Sequence, residues 1–161
     1  MEEAYIGLGS NLQQPEQQIK QARGVIAEHE AIVEIAFSSL YASSPMGPQD
    51  QPDYVNAVMK IETSLVAIDL LRVLQMIENQ QGRVRKKEQW GARTLDLDIL
   101  IFADQQIQQA DLVVPHMGLA ERAFVLYPLQ EIAPADLHIP GLGLLKQLIS
   151  HCACNGLEKL A

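Results

Sequence analysis

Tyr54-Val55-Asn56-Ala57-Val58-Met59-Lys60-Ile61-Glu62 alternates without a break. Val55, Ala57, Met59 and Ile61 fall on one face of an extended chain, and Tyr54, Asn56, Val58 and Lys60 on the other. That period of two predicts a strand. Downstream the period changes: Leu65, Ile68, Leu71 and Leu74 recur at helical spacing, after a cap at Thr63 or Ser64 and before a stop at Gly82. Residues 95–102 then read as a further strand. Upstream, residues 32–41 are rich in β-formers, and Pro15 can open a helix continued by Ile19, Ala22, Val25 and Ile26. Residues 4–9 form a short apolar run ending in Gly9-Ser10-Asn11 turn chemistry. A turn at Ala103-Asp104, short helices and an amphipathic stretch over 142–149 complete the chain. The order strand, helix, strand, strand, helix, strand is the ferredoxin-like βαββαβ pattern. The expected class is α+β, an antiparallel sheet with helices packed on one face, plus C-terminal helical additions. Neither a repeat nor a linker divides the 161 residues, so one domain over 1–161 is expected.

Composition narrows the function classes. With 48% apolar and 20% charged residues the chain reads as a globular, soluble protein. No apolar run reaches membrane-spanning length, and the acidic N-terminus lacks the basic and apolar regions of a secretory signal. Cys152 and Cys154 stand too close for a useful staple, which points to a reducing cytoplasm. The net charge of −8 argues against a nucleic-acid coat. Five of the 12 basic residues, however, gather between positions 83 and 93: Arg83, Arg85, Lys86, Lys87 and Arg93. Such a segment is either a solvated basic loop or the place where an anion is met.

The chemistry centres on Arg93-Thr94-Leu95-Asp96-Leu97-Asp98-Ile99-Leu100. On a strand, Leu95, Leu97 and Ile99 share one face while Asp96 and Asp98 share the other. Two carboxylates roughly 6.5 to 7 Å apart repel each other, and strands disfavour Asp. Either this face is simply wet, or a cation reverses the sign of the repulsion. Magnesium takes a few carboxylates together with water and substrate phosphates, which suits the pair. Arg83 and Arg85 bring planar, permanently charged forks that match phosphate, on a loop able to close over a substrate. Trp90, the only tryptophan, either positions the substrate or anchors that loop. Gln75 and Glu78 share one helical face. Tyr54 beside Asn56 offers a stacking ring and an amide, the needs of a flat heterocycle. Phe124, after Arg122, is a candidate for the opposite side of such a sandwich or a core residue. His116 is a phosphate donor, a metal ligand or a structural histidine. Gly7-x-Gly9 lacks the rest of either glycine-rich phosphate fingerprint and is discounted.

These residues carry a resemblance. Gly47-Pro48-Gln49-Asp50-Gln51-Pro52-Asp53-Tyr54-Val55-Asn56-Ala57 and Gly82-Arg83-Val84-Arg85 are similar to the 6-hydroxymethyl-7,8-dihydropterin pyrophosphokinases of folate biosynthesis. So are Trp90-Gly91-Ala92-Arg93-Thr94-Leu95-Asp96-Leu97-Asp98-Ile99 and Val114-Pro115-His116, and the likeness runs from Gly9-Ser10-Asn11-Leu12 to Glu131-Ile132-Ala133-Pro134. The resemblance implies transfer of the β,γ-diphosphoryl group of ATP to the pterin hydroxymethyl oxygen, leaving AMP. It implies that Asp96 and Asp98 hold two magnesium ions, and that Arg83 and Arg93 meet the phosphates. Tyr54 and Phe124 correspond to rings that sandwich the pterin, Asn56 to the amide that reads its edge, and Ser43, Met46 and Trp90 to further pterin contacts. Gln75, Glu78, Arg85, Ile99, His116 and Arg122 correspond to the ATP site. The implied partners are small molecules, with no nucleic acid and no membrane, and the expected state is a cytoplasmic monomer. Asp111, Val113 and Met117 depart from the family pattern, where a basic residue, a small hydroxyl residue and an aromatic are familiar; weaker ATP affinity is the expected consequence.

Two other readings compete. A ferredoxin-like RNA reader needs several aromatics on its sheet and a basic face; here aromatics are 5% and the polar face carries two aspartates. A small-ligand sensor has use for Tyr54 and Asn56 but none for the carboxylate pair. A kinase that moves a single phosphate shares every physical feature and is separated only by the resemblance.

Overall fold

The computed structural model describes residues 1–10, 14–43, 54–81, 95–152 and 157–160, with Ser43 described by its backbone alone. Strand β1 (Glu2–Ser10) is followed by helix α1 (Pro15–Glu28), and then by strands β2 (Ile32–Phe37), β3 (Leu40–Ser43) and β4 (Tyr54–Thr63). Helix α2 (Ala67–Gln80) leads to β5 (Asp96–Phe102). The C-terminal part adds hairpin β6 (Ile107–Gln108) and β7 (Val113–Val114), a 3-10 turn at Leu119–Glu121, and α3 (Ala123–Ile132). Hairpin β8 (His138–Ile139) and β9 (Gly143–Leu144), α4 (Leu145–Ser150) and β10 (Leu157–Leu160) follow. The main sheet runs β10-β3-β4-β1-β5, with β2 also paired to β4, and its pairings are antiparallel.

The alternation of β4 is realised as read. Val55, Ala57, Met59 and Ile61 join Ala4, Ile6 and Leu8 in one core with Ile19 and Ile26 of α1 and Leu70 and Leu74 of α2. The helices of the βαββαβ core therefore lie on one face, as expected. The C-terminal additions cover the other, where Tyr5, Val58 and Leu100 pack with Leu126 and Leu129 of α3 and Leu145 of α4. Truncating fully buried Leu70 or Leu74 to alanine would cost about 2 to 5 kcal/mol through lost burial and the cavity left behind.

Three local features differ from the sequence reading. The β-rich run 32–41 breaks at Ser38-Ser39, because Ser38 gives its N–H to the Val58 carbonyl and accepts the Val58 N–H on Oγ. Helix α2 starts at Ala67 without a side-chain cap. Thr63 instead donates its hydroxyl to the Ala31 carbonyl and accepts the Leu65 N–H, shaping the turn ahead of the helix. The buried face of α2 is Ala67, Leu70, Leu74, Ile77 and Glu78, with Leu65, Ile68 and Leu71 only partly covered.

Strand β5 contains the irregularity that matters most. Ile6 pairs with Ile99 and Tyr5 with Ile101, so Leu100 is an extra residue, a β-bulge. Asp96 and Asp98 alternate with Leu97 and Ile99, but Leu100 and Ile101 both belong to the second core, and Phe102 returns to the first.

Candidate active site

The face opposite α1 and α2 carries Tyr54 and Asn56 of β4, Gly7 and Gly9 of β1 and Asp96 and Asp98 of β5, and the pairing fixes their order. Asn56, Gly9 and Asp96 form one cross-strand row, and Val58, Gly7 and Asp98 the next. Strands about 4.8 Å apart put Asn56 and Asp96 roughly 10 Å from each other, with Gly9 between them contributing no side chain. The result is a trough. Together with Tyr54, His116, Arg122 and Phe124 it encloses a cleft of ≈ 240 Å³ between the sheet and the start of α3.

The glycines make the hollow possible. A Cβ on Gly9 would stand 2.8 Å from Asn56 Oδ1, and one on Gly7 would stand 3.3 Å from the Leu100 side chain. Sequence reasoning discounted both by testing them against phosphate-loop fingerprints. The available signal was simpler: glycines two apart on a strand clear the same face.

The bulge places His116. Its N–H donates to the Leu100 carbonyl at 3.0 Å, just past the cis Val114–Pro115 peptide. The Gly118 N–H donates to His116 Nδ1 at 3.1 Å, so in the neutral ring the proton sits on Nε2. Nε2 lies 3.9 Å from Asp98 Oδ2, whose side chain is half exposed to the cleft. Gly118 has a second role. A Cβ there would collide with the Arg122 guanidinium, which continues to a position 5.7 Å from the Phe124 ring centre.

Glu78 belongs to the opposite face. It is only 6% exposed and accepts the Leu97 N–H at 2.7 Å, fixing β5 at the residue between the two aspartates. Ile99 is buried in the helix-side core, pointing away from the cleft. Gln75 is exposed on α2 and accepts a bond from Arg72, which also pairs with Asp111 at 2.7 Å. Asp111, one of the departures noted in the sequence, thus has a partner on the helix.

Of the sequence-selected residues, the cleft gathers Tyr54, Asn56, Asp96, Asp98, His116, Arg122 and Phe124. Ser43 is seen as a backbone pair of Tyr54. Met46, Arg83, Arg85, Trp90 and Arg93 lie outside the described residues. Among the described residues no three acidic, histidine or cysteine side chains cluster as a metal site. Asp96 and Asp98 are two hard carboxylates on one face, a pair that would suit magnesium completed by water and phosphate oxygens.

The family model for 7,8-dihydro-6-hydroxymethylpterin-pyrophosphokinase matches residues 5–134. The chain belongs to this family. It is 52% identical over 126 residues to the 2-amino-4-hydroxy-6-hydroxymethyldihydropteridine pyrophosphokinase of Haemophilus influenzae, covering 78% of each chain. Its identity to the enzyme of the same name from Pseudomonas aeruginosa is 46% over 160 residues, 99% of this chain and 98% of that one. Among solved structures it is similar in fold to wild-type Plasmodium falciparum HPPK-DHPS with pteroate, at a TM-score of 0.73 and 14% identity. That match covers 93% of this chain but only 42% of the other. Membership of the pyrophosphokinase family supports the general pyrophosphokinase reaction and implies ATP and magnesium as its requirements. No helix among the described residues is long and apolar enough to cross a membrane.

Proposed function

We propose that the chain transfers the β,γ-diphosphoryl group of ATP to the hydroxymethyl oxygen of 6-hydroxymethyl-7,8-dihydropterin. The hydroxymethyl oxygen bonds to the β-phosphorus as the bond between that phosphorus and the α,β-bridging oxygen breaks. The bridging oxygen leaves on AMP and the hydroxyl proton goes to solvent, giving the pterin diphosphate, a step of folate biosynthesis. One observation carries the reading: a single cleft joins a carboxylate end, Asp96 and Asp98, to an aromatic and amide end, Tyr54, Asn56 and Phe124. A flat heterocycle needs the second end, and a magnesium polyphosphate needs the first.

Asp96 and Asp98 hold two magnesium ions, which when bound neutralise phosphate charge and ease ionisation of the attacking hydroxyl. Tyr54 and Phe124 stack the pterin, Asn56 bonds its edge, and Ser43, Met46 and Trp90 complete the pocket. Arg83 and Arg93 bind the transferred phosphates and stabilise the charge that moves between them. Arg85, Arg122 and Gln75 serve the ATP side, Ile99 through its backbone because its side chain is in the core, and Glu78 only indirectly, by holding the Leu97 N–H of β5 from the opposite face. His116 offers Nε2–H as a donor, since Nδ1 is occupied. Positioning and charge neutralisation suffice for phosphoryl chemistry, so no side-chain base is assigned. The enzyme works as a single cytoplasmic domain and a monomer, on small molecules and on neither nucleic acid nor membrane.

Product analysis after incubation with ATP, magnesium and the hydroxymethyl dihydropterin tests this. AMP is expected. ADP would indicate transfer of one phosphate, and no turnover with retained pterin binding would indicate a binding module.

A further inference from the structure

Glu131 opens the Glu131-Ile132-Ala133-Pro134 segment, and nothing in the reaction above uses it. It sits near the end of α3, seven residues after Phe124, hence two turns on and on the same side of the helix, about 10 Å along it. Its carboxylate gathers three donors, one from the break ahead of β3, one from β3 itself and one from β10. The Ser39 N–H bonds Oε1, the Tyr41 hydroxyl bonds Oε2 at 3.1 Å, and Lys159 Nζ stands 3.0 Å from Oε2.

The strands involved lead into the cleft. Tyr41 pairs with Asn56 and Ser43 with Tyr54 on the inner edge of β3, while Lys159 pairs with Tyr41 and Leu157 with Ser43 on its outer edge. One carboxylate thus ties α3, which carries Phe124, to β3, which is registered against Tyr54 and Asn56, and to the C-terminal strand. Pro128 sharpens the need for such a tie. It lacks the N–H that the Phe124 carbonyl would otherwise accept, so the first turn of α3 is held less firmly by its own helix. Burial acts to raise the Glu131 pKa, but the bonds from Ser39, Lys159 and Tyr41 outweigh it and hold the carboxyl below its ordinary range. The tie is therefore charged at neutral pH.

We propose that Glu131 is a positioning residue for the heterocycle: by clamping α3 to β3 and β10 it sets the spacing between the Phe124 and Tyr54 rings. The inference rests on the reading that these rings take the pterin. Binding of oxidised 6-hydroxymethylpterin, followed by its fluorescence, tests it in the full chain, alongside KM for both substrates and kcat. Glu131→Ala weakens pterin binding and raises pterin KM about tenfold, leaving ATP KM within twofold. Glu131→Gln recovers part of the loss, since one amide oxygen can still accept. In a Phe124→Ala background the Glu131 substitution adds less than twofold, because the ring it positions is gone. Additive losses, an equal rise in ATP KM, or a folded Glu131→Ala protein that binds pterin normally would each overturn the proposal. If Glu131→Ala does not fold, Tyr41→Phe and Lys159→Met each remove one arm and give about threefold losses; unchanged affinity in both overturns it. Wild type that fails to bind the pterin removes the parent reading as well, whereas sensitivity to Phe124→Ala alone removes only this one.

Discussion

Gly9→Ala is the sharpest test of the trough. The new methyl would lie 2.8 Å from Asn56 Oδ1, a separation real Cβ atoms essentially never show and well short of the 3.4 Å where ordinary contact begins. Gly9 does not appear among the positive-φ glycines, so its backbone accepts alanine and the effect arises from the contact. Alanine also restricts the unfolded chain, a gain of about 0.4 to 1 kcal/mol that offsets part of any loss in stability. Overpacking costs about 1 to 3 kcal/mol, met either by strain in the sheet or by the Asn56 amide turning aside. If the amide turns, the pterin edge loses hydrogen bonds worth about 1 to 3 kcal/mol, roughly a 5- to 150-fold fall in affinity. Gly7→Ala is the matched control. Its methyl would meet the far end of the Leu100 side chain at 3.3 Å, which can give way, so affinity should change less than threefold. Fluorescence titration with oxidised hydroxymethylpterin, with thermal unfolding in parallel, reads both. Gly9→Ala binding within twofold of wild type, or equal losses in the two variants, would refute the role given to Asn56.

Asp96→Ala or Asp98→Ala should lower turnover by about a hundredfold or more with the fold retained; activity preserved at saturating magnesium counts against the metal role. Glu78→Ala should cost about 1 to 3 kcal/mol in thermal or urea unfolding and raise the magnesium requirement, because the Leu97 N–H loses its acceptor, whereas Glu78→Gln keeps an acceptor and should be milder. Equal effects of the two would assign the role to charge instead. Arg83→Ala and Arg93→Ala should reduce kcat more than pterin affinity, and Tyr54→Ala the reverse; rapid-quench rates beside pterin titration separate the two. Burial first, then the nearby Glu3 and Glu131 carboxylates, pushes Tyr5 and Tyr41 from 10.0 to about 12. A raised folded-state pKa means that their contribution is complete below pH 10.0 and lost as pH rises towards about 12, so unfolding temperature should fall across that window. Spectrophotometric titration showing both phenols ionising near 10 would contradict this.

Much of the architecture is legible because the signals are local. The unbroken alternation at 54–62, Pro15 ahead of Ile19, and the two aspartates at strand spacing each state their own geometry. What escaped depends on partners distant in sequence. Thr63 has the chemistry of a helix cap, yet its hydroxyl is claimed by Ala31 across the turn. The inward face of α2 includes Glu78, a residue whose burial makes sense only once Leu97 is beside it. The two-residue strands of the C-terminal hairpins are too short to show any period. In the cleft, residue types announced Asp96, Asp98, Tyr54 and Asn56, but the place of His116 depends on a bulge that no local pattern encodes.

That bulge separates regularity from competence. With Leu100 deleted, the segment Asp96-Leu97-Asp98-Ile99-Ile101-Phe102 would alternate better, Ile101 would take the cleft side and Phe102 would keep its place in the core. Any redesign that idealises strands would favour the shorter version, and its fold could survive. The deleted carbonyl, however, is the one that receives the His116 N–H. The tidier protein would lose its hold on the histidine beside Asp98, so the length of this segment is under a constraint that its hydrophobic pattern does not reveal.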